Sequence, residues 1–267
     1  MDTNMAKLSI ILIPGSFAIP ELYNNIIDII TAKGYDFKVL HLPSVAWKDG
    51  PRGTPPTMYD DAAFVAKEVT GLADEGKDVV LIGHSYGGIP VSQSTKGLTK
   101  AERQKQGKKG GIIRLAYMTA LVPPLGSSSV DMISKAPEEN RVEFGTDEKG
   151  WLYFIDLPKT TSIVLSDHPD KSSREALIEK FQTQSSTSFI NELTHAGYKD
   201  VPVSFLFCEK DQCILPQIQK AEIEMIEKES GNKVDVTSVN AGHCPSVTME
   251  KETVEWIINT AEKGEAL

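Results

Sequence analysis

A glycine-rich turn directly after an apolar run is the feature that most constrains the fold of this chain. Residues Gly83-His84-Ser85-Tyr86-Gly87 follow the run Asp78–Ile82, which is typical of a buried β-strand, and Gly88 comes next. Glycines on either side of a serine permit a sharp strand-to-helix turn and a close approach of the helix to the strand. Such a turn pushes the serine hydroxyl out of the sheet edge. The pattern predicts a nucleophilic Ser85, the alternative being a glycine-rich turn with an incidental serine.

Apolar runs alternate with segments of helical periodicity along most of the chain. Near-continuous apolar strands separated by helices indicate a parallel sheet that is covered on both faces. We therefore predict an α/β fold with a mostly parallel six-stranded core sheet and helices on both faces. The predicted strands are Leu8–Ile13, Phe37–Leu42, Asp78–Ile82, Ile112–Thr119, Val201–Phe207 and Val234–Val239. The predicted helices are Glu21–Lys33, Thr57–Ala73, Pro216–Glu229 and Lys251–Lys263.

The stretch from Val122 to His195 breaks this alternation. It begins with Pro123-Pro124, has three serines after Gly126, and contains a helix-like piece at Ser172–Gln182. A long irregular loop is the alternative, but loops of this length without secondary structure are uncommon in compact domains. We predict that residues 122–195 form a lid inserted into a core made of residues 1–121 and 196–267.

Composition and charge exclude several functional classes. The formal net charge of −9 at pH 7 disfavours nucleic-acid binding, which needs a positive surface. Three cysteines provide no disulfide framework and no zinc-like cluster, so no metal is expected. The first apolar run, Leu8–Ile13, is too short for a signal peptide, and no run reaches the length of a membrane span. A cytoplasmic location without a membrane partner is therefore the expectation.

A serine hydroxyl is a poor nucleophile unless a base and an orienting acid accompany it. His243 follows the last predicted strand directly, within Ala241-Gly242-His243-Cys244-Pro245, and is the candidate base. The candidate acid is Asp211, with Glu209 as the second choice, because both follow the fifth predicted strand. Loops after parallel strands meet at the carboxyl edge of the sheet, where open α/β sheets place their sites.

Stabilising a tetrahedral intermediate requires backbone N–H groups that face its oxyanion. One is expected from Tyr86, which follows the serine at the start of a helix. The other is expected from Ser16, in the loop Pro14-Gly15-Ser16-Phe17 after the first strand. An ordinary Pro-Gly turn is the alternative for this loop when it is considered by itself.

Several further residues are candidates for contact with a substrate. His84 precedes the serine, and since successive residues of the turn point apart, we expect it to pack beside the site rather than act as the base. Phe17, Trp151, Tyr153 and Phe154 are candidate walls of a substrate pocket. Packing within the core of the lid is the open alternative for these four aromatic residues.

The order Ser85, Asp211, His243, together with the motifs around these residues and the Ile13–Phe17 loop, resembles the α/β-hydrolase superfamily over nearly the whole chain. The resemblance is greatest to the compact subgroup of plant methyl-ester esterases and hydroxynitrile lyases and their microbial relatives. It implies a parallel core sheet, a lid inserted after the fourth strand, and no cofactor. It also implies the catalytic triad Ser85–Asp211–His243.

The chain departs from the subgroup at two places. Many relatives have His-Gly where this chain has Pro14-Gly15, a variant that leaves a backbone oxyanion donor available. The hydroxynitrile lyases have a threonine and a lysine at positions that correspond to Gly15 and Cys244. Ester or lactone hydrolysis is therefore favoured over lyase chemistry of that kind.

The expected function is a serine hydrolase that cleaves a small, fairly apolar ester or lactone through an acyl-enzyme at Ser85. A cofactor-free lyase or cyclase on the same fold is one alternative, and a hydrolase-derived protein that only binds a small molecule is another. The expected partner is a small-molecule substrate, and a homodimer is left open.

Overall fold

The core of the protein is a six-stranded parallel sheet. The computed structural model describes residues 8–265. Within them the strands of this sheet are β1 (Leu8–Ile13), β2 (Asp36–Val39), β4 (Asp78–His84), β5 (Gly111–Met118), β9 (Val203–Cys208) and β10 (Asp235–Val239). They lie in the order β10-β9-β5-β4-β1-β2. Every neighbouring pair is parallel, which confirms the predicted α/β fold.

Both faces of the sheet are covered by helices, because successive side chains of a strand point to opposite faces. In β1, Ile11 and Ile13 contribute to one hydrophobic cluster, whereas Ile10 and Leu12 contribute to another. The helices are α1 (Asn24–Ala32), α2 (Met58–Asp74), α3 (Gly88–Gln93), α4 (Lys100–Lys105), α5 (Ser129–Ile133), α6 (Leu157–Val164), α7 (Lys171–Ile178), α8 (Ser186–Ile190), α9 (Pro216–Ser230), α10 (Pro245–Thr248) and α11 (Glu250–Glu265). Helices α2 and α9 cover the first face, and α1 and α11 cover the second. None of the helices in residues 8–265 is long and apolar enough to span a lipid bilayer.

Local sequence signals account for the positions of the helix ends. Thr57 caps α2, since its side chain accepts from the Asp60 N–H while the Asp60 carboxylate accepts from the Thr57 N–H. The predicted helix Glu21–Lys33 is divided into a 3₁₀ turn at Pro20–Tyr23 and then α1. The other predicted bounds agree with the structure to within a few residues.

Residues 122–195 contain α5 to α8 and part of a second, antiparallel sheet. Its strands, in the order β3-β8-β7-β6, are β3 (Val45–Ala46), β8 (Thr183–Ser185), β7 (Trp151–Phe154) and β6 (Phe144–Thr146). The sequence did not predict this sheet, because its strands are too short for a period-two pattern to be recognised. We call residues 122–195 the cap segment. The division into core and cap stays a prediction, and residues 1–7 and 266–267 of the predicted core lie outside the described residues.

The turn between β4 and α3 leaves no room for a side chain at its glycine positions. A Cβ at Gly83 would lie 2.7 Å from the Gly88 Cα, and a Cβ at Gly87 would lie 2.3 Å from the Ile13 carbonyl oxygen. Ser85 has a φ of 52°, in the left-handed region that side chains disfavour. The strained turn therefore persists because close packing on both sides leaves the backbone no alternative.

Replacing Gly87 with alanine should destabilise the fold by about 3 kcal/mol or more, since the new methyl group would collide with backbone atoms. Gly71, on the exposed side of α2, is the matched control because a Cβ there meets no atom within 4 Å. Gly71→Ala should stabilise the protein by about 0.5–1 kcal/mol. Urea unfolding measures both changes, and a Gly87→Ala variant as stable as the wild type would contradict this account of the turn.

Candidate active site

Three polar residues meet at the carboxyl edge of the main sheet. Ser85 follows β4, Asp211 follows β9, and His243 follows β10. The Ser85 Oγ lies 2.9 Å from the His243 Nε2, and the His243 Nδ1 lies 2.8 Å from the Asp211 Oδ2. All three side chains are buried. The structure thus joins the predicted nucleophile, base and acid in one chain of hydrogen bonds, whereas the alternative acid Glu209 is exposed.

Asp211 is surrounded by donors. Its Oδ1 accepts from the backbone N–H groups of Cys213 at 2.7 Å and Ile214 at 3.0 Å, and its Oδ2 also accepts from the Thr119 hydroxyl. A carboxylate held in this way can only accept from His243, so the Nδ1 of His243 carries the proton. The Nε2 is then left to accept the proton of the Ser85 hydroxyl.

The electrostatics of the site raise the pKa of His243. Burial by itself lowers the pKa of His243, but the charge of Asp211 and its hydrogen bond, with a contribution from the Cys213 thiol, raise it by more. The pKa of His243 therefore lies well above the 6.5 of an ordinary histidine. An imidazole that is readily protonated in this position is suited to accept the proton of a nearby hydroxyl.

His84 belongs to a second hydrogen-bonded chain beneath the site. Its Nε2 donates to the His243 carbonyl oxygen at 2.7 Å, so its Nδ1 accepts from the Tyr23 hydroxyl, also at 2.7 Å. The Tyr23 oxygen in turn accepts from the Gly15 N–H at 3.3 Å. Burial and the nearby His243 lower the pKa of His84 to about 3, so the ring stays neutral. This chain connects the loop after β1, the serine turn and the histidine loop.

An apolar cavity of about 1130 Å³, including its open mouth, lies over Ser85 and His243. Among the described residues that line it, none is Asp, Glu, Lys or Arg. Its phenylalanine side chains come from the loop after β1 and from the cap segment. The phenylalanines that line it are Phe17, Phe144, Phe154, Phe181 and Phe189.

Phe17 and Phe154 line the cavity as predicted, but Trp151 and Tyr153 do not. Side chains alternate along β7, so that Phe154 faces the cavity and the two residues at odd positions face away. Trp151 is buried elsewhere and donates its indole N–H to the Gly53 carbonyl oxygen, whereas Tyr153 is about half exposed. The expectation that Trp151 and Tyr153 form the pocket wall is therefore corrected.

Several residues of the site were not predicted from the sequence. Nothing in the sequence positions of Phe144, Phe181 and Phe189 indicates where their rings pack. The rings of Phe144 and Phe189 contact Phe17, and the ring of Phe181 contacts Phe154. Tyr23 could have been predicted as a residue near the site, because it is an aromatic residue shortly after the Pro14-Gly15 loop. Thr119 could not be found without knowing that β5 and β9 are neighbours.

Both expected oxyanion donors border the cavity. Ser16 and Tyr86 line it, and a Cβ at Gly15 would lie 3.1 Å from the Ser85 Cβ, so the loop after β1 passes directly over the serine. The Phe17 N–H is already used, because it donates to the Gln184 Oε1 at 3.0 Å. Ser16 is then the loop residue whose N–H remains to face a ligand. In residues 8–265, no group of three His, Cys, Asp or Glu side chains could hold a metal ion.

Comparison with known proteins identifies the family. Residues 10–256 match the alpha/beta hydrolase family. The chain belongs to this family. This membership confirms the assignment made from the sequence, and with it the expectation of an enzyme of the hydrolase type.

Individual relatives cover almost the whole chain. It is 32% identical to a probable hydrolase, R7, of a Phoma species over 96% of its own length and 99% of the relative. It is 29% identical to the alpha/beta hydrolase nvfD of Aspergillus novofumigatus, over 98% of this chain and 99% of that one. Its fold is similar to that of a pyrethroid hydrolase from Sphingobium faniae, with a TM-score of 0.71 at 22% identity, covering 96% of this chain and 98% of the other.

Tyr23→Phe should remove the acceptor of the Gly15 N–H and the donor to His84 in one step. Leaving two buried polar groups without partners is expected to cost about 1–3 kcal/mol of unfolding free energy. Tyr117→Phe is the matched control for general loss of a buried hydroxyl, because Tyr117 is also buried and, within residues 8–265, its hydroxyl bonds only to Ser92, at 2.8 Å.

Denaturant unfolding together with NMR of the histidine rings tests this chain of hydrogen bonds. Tyr23→Phe should shift the His84 ring signals, whereas Tyr117→Phe should leave them in place. Unchanged His84 signals in Tyr23→Phe would show that the hydroxyl does not bond to the ring.

Proposed function

We propose that this protein is a serine hydrolase that cleaves an apolar ester or lactone through an acyl-enzyme at Ser85. The observation that carries the proposal is the hydrogen-bonded chain from Ser85 through His243 to Asp211, which opens onto an apolar cavity. A buried serine beside a base and an orienting carboxylate is the arrangement that makes a hydroxyl nucleophilic.

In the proposed reaction the Ser85 oxygen attacks the substrate carbonyl, and the His243 Nε2 takes the hydroxyl proton. Asp211 keeps the Nδ1 protonated and stabilises the positive imidazolium. The N–H groups of Ser16 and Tyr86 bind the oxyanion of the tetrahedral intermediate. His243 then gives its proton to the leaving oxygen, and the alcohol departs from an acyl-enzyme. A water molecule repeats the two steps, which releases the acid and restores Ser85.

The cavity supports an apolar, uncharged substrate. No Asp, Glu, Lys or Arg side chain borders the cavity in the described part of the chain, so apart from His243 at the reaction centre no charged group offsets the cost of removing a substrate charge from water. The phenylalanine rings provide contact area for rings or branched chains. The carboxylate that hydrolysis produces is poorly held by such walls, which favours its release.

The names of similar proteins agree with hydrolysis. The Phoma relative is called a probable hydrolase, and the Sphingobium protein of similar fold is called a pyrethroid hydrolase. Among the alternatives, a cofactor-free lyase would use the same histidine without an acyl-enzyme, and a binding protein would turn nothing over. A covalent adduct at Ser85 together with ester turnover therefore separates the three functions.

A fluorophosphonate should label the folded wild-type protein at Ser85, as read by peptide mass spectrometry. His243→Ala should remove the base and slow labelling by about 10²-fold or more. Circular dichroism confirms that the variant is folded. Folded wild-type protein that leaves Ser85 unlabelled would contradict the proposal.

The pH dependence of ester hydrolysis should reflect the raised pKa of His243. A protonated His243 cannot accept the Ser85 proton, so kcat/KM should fall as the pH decreases through an apparent pKa above 6.5. Asp211→Asn removes the charge that raises this pKa, so the fall should move to lower pH. The same variant should lose about 10³–10⁴-fold in kcat, because the imidazole loses its oriented tautomer.

Glu209→Gln is the matched control, since Glu209 is an exposed carboxylate two positions before Asp211. It should leave both the pH profile and kcat as in the wild type. Equal losses of kcat in Asp211→Asn and Glu209→Gln would contradict the assignment of Asp211 as the acid.

A further inference from the structure

A buried polar network lies behind the loop after β1, between the cap segment and the core. The proposed chemical steps do not use it directly. Its side chains are fully or almost fully buried, and its polar contacts run from the Phe17 backbone to the Tyr86 hydroxyl. The members are Phe17, Ser44, Asp61, Tyr86, Gln184 and Ser188.

The backbone N–H and the carbonyl group of Phe17 both bond to the cap segment. Its N–H donates to the Gln184 Oε1 at 3.0 Å, and its carbonyl oxygen accepts from the Gln182 N–H at 2.8 Å. Phe17 has a φ of 62°, a left-handed conformation that costs a non-glycine residue on the order of 1–2 kcal/mol. The contacts hold the residue in this conformation. Since Ser16 immediately precedes it, they also set the direction of the Ser16 N–H.

The orientation of the Gln184 amide follows from the proton positions around Ser44. The Asp61 carboxylate accepts from the Ser44 N–H at 2.9 Å and from the Ser44 hydroxyl at 2.5 Å. Because the hydroxyl proton is used there, the Ser44 oxygen can only accept from its other neighbour, the Gln184 Nε2 at 2.9 Å. The amide oxygen is thereby turned toward the Phe17 N–H.

Ser188 supports the same orientation independently. Its hydroxyl donates to the Ser185 carbonyl oxygen at 2.8 Å, so its oxygen accepts the second Nε2 proton of Gln184 at 2.8 Å. Both amide protons and the amide oxygen of Gln184 are then satisfied. If the Gln184 amide were flipped, its NH₂ group would face the Phe17 N–H, and the Ser44 and Ser188 oxygens would lose their donor. Unpaired polar groups of this kind are costly in a buried site.

The network ends at the second oxyanion residue. The Tyr86 hydroxyl donates to the Asp61 Oδ2 at 2.7 Å, so one carboxylate anchors the branch to Phe17 and the branch to Tyr86. Burial raises the pKa of Asp61 to about 6, and above that pH the group is a carboxylate that only accepts. Tyr86, one expected oxyanion donor, and Phe17, the neighbour of the other donor Ser16, are thus connected to a single buried acceptor.

We infer that Gln184 is a positioning residue for the oxyanion hole and that Asp61, through Ser44, sets the direction of its amide. The inference rests on the proposed function, in which the Ser16 and Tyr86 N–H groups bind the oxyanion. Gln184 does not border the cavity, so it acts through Phe17 and not on the substrate.

Gln184→Met tests the inference, because methionine is of similar length and cannot accept from the Phe17 N–H. The oxyanion forms only in the reaction, so kcat should fall by about 10–100-fold while KM changes little. The inhibition constant of a trifluoromethyl ketone, which forms a tetrahedral oxyanion on Ser85, should rise by the same factor as kcat/KM falls. A substrate-like ketone without fluorine, which stays trigonal, should bind as in the wild type.

Gln93→Met is the matched control. Gln93 also accepts from backbone N–H groups of the cap segment, those of Thr194 at 2.9 Å and His195 at 3.2 Å, but it does not contact the loop after β1. It should keep the wild-type kcat and ketone affinity. Unchanged kcat in folded Gln184→Met, or equal losses in both variants, overturns the inference.

Asp61→Asn is the second variant, for use where Gln184→Met does not fold. Asparagine has one acceptor oxygen where Asp61 has two, so at least one of the Ser44 N–H, the Ser44 hydroxyl and the Tyr86 hydroxyl loses its acceptor, and the support of Gln184 through Ser44 is weakened. The same split, a lower kcat at little-changed KM, is expected, and a wild-type kcat overturns the role of Asp61. Wild-type protein that hydrolyses no ester and leaves Ser85 unlabelled refutes the proposed function instead, so the two failures are distinguishable.

Discussion

The close contact of backbone with backbone around Ser85 is the constraint on which the rest of the site depends. Gly83 and Gly87 lie where any Cβ would collide with the first turn of α3 or with the end of β1. This packing holds Ser85 in a left-handed conformation that its own side chain disfavours. The hydroxyl consequently stands above the sheet edge, within reach of a histidine that follows a strand at the far side of the sheet.

The strained turn is useful only because three other segments are held against it by buried hydrogen bonds. The donors around Asp211 keep that carboxylate an acceptor and so orient His243. Tyr23 and His84 connect the histidine loop to the loop after β1. Asp61 and Gln184 hold that loop from the side of the cap. In two of these networks the donors converge on a buried carboxylate, Asp211 or Asp61, and in the third they run from the Gly15 N–H to the His243 carbonyl oxygen. A single reversed group would leave a partner unsatisfied.

The sequence predicted the parts of this structure that depend on local pattern. Continuous apolar runs indicated buried parallel strands, and the positions of Ser85, Asp211 and His243 after such runs indicated that they meet at one sheet edge. The small antiparallel sheet was not predicted, since its strands of two to four residues are too short to show periodicity. Trp151 and Tyr153 were assigned to the wrong face because the face of a short strand depends on its register with β8. The roles of Asp61 and Gln184 were not predicted, because the two residues are 123 positions apart and are connected through Ser44.

A crystal structure of the phosphonate adduct of the wild-type protein tests the central claim most directly, since the adduct imitates the tetrahedral intermediate. The account predicts a bond from the Ser85 Oγ to phosphorus, with one phosphoryl oxygen at about 2.7–3.1 Å from the N–H groups of both Ser16 and Tyr86. It also predicts that the Phe17 N–H still donates to Gln184. A phosphoryl oxygen that points into solvent, or that bonds to the Phe17 N–H instead, would contradict it.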